Sequence, residues 1–193
     1  MASPKFLEEA SKSVKPIYAQ GFFFVGCNYI AYYIVYDYDD PLNYYYTVVQ
    51  NEKLFNEEIS KIWANMQEFL DQEIVKVNNV RVNPRVVMID IGFRDSKRRP
   101  FIVFAIRFNA PLKKGRNIYE NRYEPEIAEY DYVAYWIFPP GSKIIKVDMG
   151  EGEESWDIVG KNILAIYGFK GKKSGGYEYI EFDLPIDGID NTD

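Results

Sequence analysis

Residues 16–40 read PIYAQGFFFVGCNYIAYYIVYDYDD, and the way this stretch divides decides the fold. It carries no charge before Asp37 and then places Asp37, Asp39 and Asp40 within four positions. A membrane-spanning helix needs about 20 mostly apolar residues, so length alone admits one. The residue types argue otherwise. Five tyrosines, Gln20 and Asn28 interrupt the charge-free run, and its Val, Ile, Phe and Tyr suit a pleated, half-buried strand. Gly21 and the Gly26-Cys27-Asn28 triplet punctuate it. The stretch is therefore read as two strands, over about 17–25 and 28–38, joined by a turn. Asp39 and Asp40 before Pro41 mark a second turn. YYYTVVQ from Tyr44 then predicts the third strand of an antiparallel meander.

Either side of this stretch the pattern is helical. Ser3 is a suitable N-cap for a short helix over about 4–14, with Pro4 at its first position, and Pro16 ends it. Over about 52–77, Phe55, Ile59, Ile62, Met66, Phe69 and Leu70 recur at three- and four-residue spacing behind Asn51 as N-cap. That predicts one long amphipathic helix packed on a sheet. From residue 80 the pattern is all strand: a hairpin centred near Lys97, a polar loop over about 109–126, and an alternating strand from Tyr130 to Phe138. A break at Pro139-Pro140-Gly141 precedes another strand, an acidic Gly-rich loop covers about 150–160, and a last hairpin turns through KKSGG. The expected fold class is α+β. A mainly antiparallel β-sandwich or strongly curved sheet of about nine strands is covered by the long helix, with the short N-terminal helix added. Residues 1–185 read as a single domain and 186–193 as a polar C-terminal tail.

Composition excludes several chemistries. The 193 residues contain no His and one Cys, so neither a Ser-His nor a Cys-His nucleophile can be assembled, nor a His-bearing zinc site. An intramolecular disulfide is ruled out too, and Cys27, inside an apolar run, reads as an inert core thiol. A formal net charge of −6 argues against broad nucleic-acid binding. The KGKKSGG stretch at 170–176 joins strand to strand and lacks the following helix that a phosphate loop requires. Neither a signal peptide nor a transmembrane segment is read in the chain, so a cytoplasmic location is expected. Much Ile and Tyr with no His is also compatible with a heat-adapted source.

Three groups of residues are candidates for function. Asp37, Asp39 and Asp40 have oxygens spaced as in cation sites, but Asn43 and Val48 stand where an EF-hand needs Gly and Glu, so they read as turn residues and no metal is expected. Glu151, Glu153, Glu154 and Asp157 crowd a loop beside Trp156, the ingredients of a carboxylate-dependent hydrolase. The third group is aromatic. Tyr44, Tyr45, Tyr46, Tyr130, Tyr132, Trp136 and Trp156 could form a stacking surface if they face outwards, and are core if they face inwards. With no nucleotide motif and no cofactor expected, the first reading is a non-catalytic binding or assembly protein. It would use a Tyr-rich surface for a protein partner or for self-association. The alternatives are a carboxylate-dependent carbohydrate-active hydrolase, which would carry two facing carboxyls in a cleft, and a small-ligand binder with a pocket between helix and sheet.

Overall fold

The computed structural model describes residues 3–185; the tail expected at 186–193 lies outside them. Within them the chain is α+β, with twelve strands in two open sheets and three helices. In chain order these are α1 (Pro4–Ser13), β1 (Lys15–Val25), β2 (Tyr29–Asp39), α2 (Tyr44–Val49), α3 (Glu52–Gln72), β3 (Ile74–Val77), β4 (Val80–Val82) and β5 (Arg85–Phe93). They continue with β6 (Pro100–Asn109), β7 (Gly115–Arg122), β8 (Asp131–Ile137), β9 (Lys143–Asp148), β10 (Ser155–Val159), β11 (Ile163–Gly168) and β12 (Tyr177–Leu184). One sheet runs β10-β11-β8-β1-β2-β6-β5 and the other β4-β3-β7-β12-β9. No helix among the described residues is long and apolar enough to cross a membrane.

The opening stretch forms the two antiparallel strands expected, with Phe23 opposite Tyr32 and Val25 opposite Ile30. Cys27 is free and half-buried in the turn between them. β1 is central to its sheet because its other edge pairs with β8, in parallel, so that Phe23 also lies opposite Trp136. One row across the inner face thus reads Tyr32, Phe23, Trp136, with stacked rings 4.4 and 4.7 Å apart. The second sheet meets this face through Tyr119 of β7, 4.5 Å from Trp136, and through Phe182 of β12, 4.6 Å from Phe138. Burial of these rings together with Ile102, Ile106, Leu164 and Ile180 forms the core, the main favourable contribution to folding.

The strands number twelve rather than about nine and the helices three rather than two, and four local expectations are corrected. The strand predicted from Tyr44 is helix α2, because Asp40 is fully buried and its two carboxylate oxygens accept from the Tyr44 and Tyr45 N–H groups at 2.8 and 2.9 Å. Satisfying two orphan donors of a helix start outweighs the strand preference of Tyr and Val. The long helix stops at Gln72 rather than near residue 77. Ile74–Val77 and Val80–Val82 pair instead as a hairpin whose Asn78 and Asn79 both have positive φ, as the favoured two-residue hairpin turns require. The loop expected over 109–126 contains β7, pinned by the fully buried Asn117, which donates to the Lys113 and Gly115 carbonyls. Finally, β11 and β12 do not form the last hairpin. They belong to different sheets, β11 between β10 and β8, and β12 between β7 and β9.

Candidate functional site

Helix α3 is amphipathic as expected, yet Leu70 is its only buried residue. The apolar stripe of a surface helix is ordinarily pressed onto its sheet. Here Ile62, Met66 and Phe69 face a cavity of about 880 Å³ that opens between α3, α1, α2 and the inner faces of both sheets. Phe69 is 61% exposed, whereas Ile62 and Met66 are partly buried against the core. Strand β2 supplies one wall. Its even-numbered residues point inwards, so Tyr32, Ile34, Tyr36 and Tyr38 line the space in sequence, with Phe104 of β6 beside them. Tyr36 and Tyr130 meet edge to face at 6.2 Å, as do Tyr36 and Phe104 at 5.8 Å. Burial raises the hydroxyl pKa of Tyr32, Tyr36, Tyr38 and Tyr119, so all four stay neutral across the physiological range.

The floor is polar. Glu178 of β12 lies directly opposite Asn121 of β7, which puts both side chains on one face. Asn121 Nδ2 donates to Glu73 Oε2 at 3.0 Å, from the residue that ends α3. Trp136 Nε1 donates to Glu178 Oε1 at 2.8 Å. Burial pushes the Glu178 carboxyl up to about 7, with Glu73 and Glu154 adding to the rise and the Trp136 N–H opposing it. Burial also raises Glu73, against the Asn121 hydrogen bond. Asn121 Oδ1 is buried without a partner.

The sequence candidates separate. Tyr44, Tyr45 and Tyr130 line the cavity, and Tyr44 donates its hydroxyl to Glu58 Oε2 at 2.9 Å on the rim. Trp136 is 1% exposed and sits beneath the floor, where its indole N–H reaches Glu178. Tyr132 lines an adjoining recess of about 630 Å³, with its hydroxyl 3.3 Å from Glu154 Oε1. Tyr46 points elsewhere, against Phe93 and under the Lys97 ammonium. Trp156, on edge strand β10, is 44% exposed and does not line the cavity. The three aspartates part company as well: Asp37 pairs with Arg94 at 2.8 Å, Asp39 approaches Arg99 at 4.0 Å, and Asp40 clamps α2. Glu153 of the acidic loop holds the KGKKSGG turn, accepting from Lys172 Nζ at 2.8 Å and the Lys173 N–H at 3.0 Å. Among the described residues, no group of three or more Cys, Asp or Glu is arranged to hold a metal ion.

Glu73, Asn121 and Glu178 were not among the sequence candidates. The signal for Glu178 is its parity: in β12 it shares a face with Ile180, Phe182 and Leu184, all buried. A carboxylate in phase with an apolar face is costly unless something compensates it. Asn121 lay in the segment read as loop, where parity has no meaning. Glu73 lay in the part of the predicted helix that is not helical.

No family model matches the chain, and no curated protein matches it. Among solved structures it is similar to yeast LTA4 hydrolase, both in complex with bestatin (8% identity, TM-score 0.34) and in native form (8%, 0.32). It is also similar to a mutant M1 zinc metallopeptidase from Deinococcus radiodurans (7%, 0.32). These alignments cover 95%, 90% and 90% of this chain but only 33%, 30% and 43% of the others. Likeness at that level carries no argument about fold or activity.

Proposed function

We propose that this protein binds a small organic molecule in the cavity beneath α3. The observation that carries the reading is the combination of size, wall and floor. A space of about 880 Å³ is walled by tyrosine and aliphatic side chains, and three convergent polar groups lie at its base. Binding sites for small molecules are typically concave and mostly apolar, with a few placed polar groups, in the range of roughly 300–1,000 Å³. The inward direction of Tyr32, Tyr36, Tyr38, Tyr44 and Tyr45 also favours this reading over assembly through a Tyr-rich outer surface. Ligand-observed NMR with a fragment library tests it. Fragments that bind the wild-type protein are expected to lose their signal changes with Met66→Trp, which fills the space from α3. Hits indifferent to that substitution would remove the cavity from consideration.

A second reading, a carboxylate-dependent glycoside hydrolase, has one observation in its favour. Burial pushes the Glu178 carboxyl up to about 7, against the Trp136 N–H that it accepts from, and at that value it could serve as a general acid. Turnover of aryl glycosides that is abolished by Glu178→Gln would support this reading; blank assays across α- and β-linked substrates would leave it without support.

A further inference from the structure

At the floor of the cavity acceptors outnumber free donors, because the Asn121 and Trp136 N–H groups are already engaged by Glu73 and Glu178. Asn121 is 7% exposed, its Nδ2 is engaged by Glu73, and its Oδ1 faces no partner. Beside it stand Glu73 and Glu178, each with its pKa raised first by burial. The ion pairs among the described residues all involve other carboxylates. The lysines that line the cavity belong to its rim. Lys12 reaches Glu8 at 2.6 Å and Lys61 approaches Glu58 at 4.0 Å, and both side chains are mostly exposed. The ionisable groups facing Glu178 are Glu73, Glu154, Tyr32, Tyr119, Tyr123 and Tyr132, none of them a cation. Glu73 and Glu178 each accept one neutral N–H, from Asn121 and Trp136, but neither has a cationic partner, and the buried Asn121 carbonyl lacks a donor. An ammonium group brings both, with three N–H donors and one positive charge. Aromatic faces along the walls suit the same group, because ring quadrupoles attract cations.

We infer that the cavity takes an organic cation, a protonated amine on an apolar or aromatic body, with its ammonium held by Glu73, Glu178 and Asn121 Oδ1 and its body between the tyrosines of β2 and the stripe of α3. The inference rests on the ligand-binding reading above and goes beyond it by fixing the ligand's charge. It separates this ligand class from neutral alcohols, which bring no charge to offset the two carboxylates, and from anions, which those carboxylates repel.

Isothermal titration of the full chain at about pH 8 with phenethylamine, phenethyl alcohol and phenylacetate tests it, with Nile red fluorescence as an independent report on the cavity. The amine is expected to bind at least about tenfold tighter than the alcohol, with phenylacetate weakest. Glu73→Gln and Glu178→Gln should each weaken the amine about tenfold and leave the alcohol unchanged. Amine affinity should also fall as pH drops from about 8 to 6, because protonating Glu178 removes its charge. Should either variant fail to fold, the three probes on the wild-type chain decide alone. Equal or tighter binding of the alcohol overturns the amine assignment and leaves the cavity reading standing. So does the absence of amine binding when Nile red occupies the cavity. Failure of all three probes and of Nile red overturns both.

Discussion

Asp37, Asp39 and Asp40 show how far three like residues can diverge within four positions. Asp40 is buried on two backbone N–H donors, whereas Asp37 and Asp39 make partly or largely exposed pairs with Arg94 and Arg99. Asp40→Ala would strand two buried donors and is expected to cost about 2 kcal/mol, while Asp37→Ala and Asp39→Ala should each stay within about 1 kcal/mol. Urea unfolding of the three variants measures the contrast. Glu178 gives a pH-dependent expectation. Its folded-state carboxyl titrates at about 7 against an ordinary 4.5, so between those values the folded protein holds a proton that the unfolded chain has lost. Stability is therefore highest below about pH 4.5 for this group, declines as pH rises to about 7, and is level above. Glu178→Gln should abolish that decline and make the protein more stable at pH 8, by about 3 kcal/mol at most. Thermal unfolding across a pH series reads both, and an unchanged slope in the variant would assign the decline to other groups.

Among the elements, the sequence was readable wherever periodicity and local capping agree. β1, β2, the β5–β6 hairpin, the start of α3 behind Asn51 and the start of α1 behind Ser3 all lie where pattern and punctuation coincide. It was misleading where a non-local partner decides. YYYTVV has strand-forming side chains, and only a buried carboxylate four and five residues back makes it helical. β7 is rich in Asn, Arg and Glu, and is a strand because β3 and β12 bracket it. The cavity was legible only as an expectation of some space between helix and sheet, since its floor comes from three segments distant in sequence. Glycines placed under aromatic rings are another non-local feature. Gly92 lies opposite Phe101, and an added Cβ would stand 2.3 Å from the ring's Cζ. Gly92→Ala should displace that ring from beneath Arg94 and cost about 1–3 kcal/mol, seen as a lowered melting temperature.

Across the described residues, Trp136 ties the sheets together alongside the Phe138–Phe182 contact, touching Phe23 and Phe138 on its own side and Tyr119 and Glu178 on the other. Trp136→Phe should cost about 1–3 kcal/mol in packing and, by removing the donor that lowers the Glu178 carboxyl, move the stability decline to higher pH. The parallel β1–β8 pair has a consequence for how the chain reaches this state. Its partners, from Tyr18 with Asp131 to Phe24 with Ile137, are on the order of 110 residues apart, and no local turn can bring them together. A chain emerging from the ribosome completes the β1–β2–β6 portion early, while the other edge of β1 waits for β8. That edge exposes unpaired backbone along a strand rich in Phe, a template for pairing with another nascent chain. Closing it late makes assembly slow relative to helical proteins of this size. Until residues 131–137 are available, that edge of β1 has no partner strand.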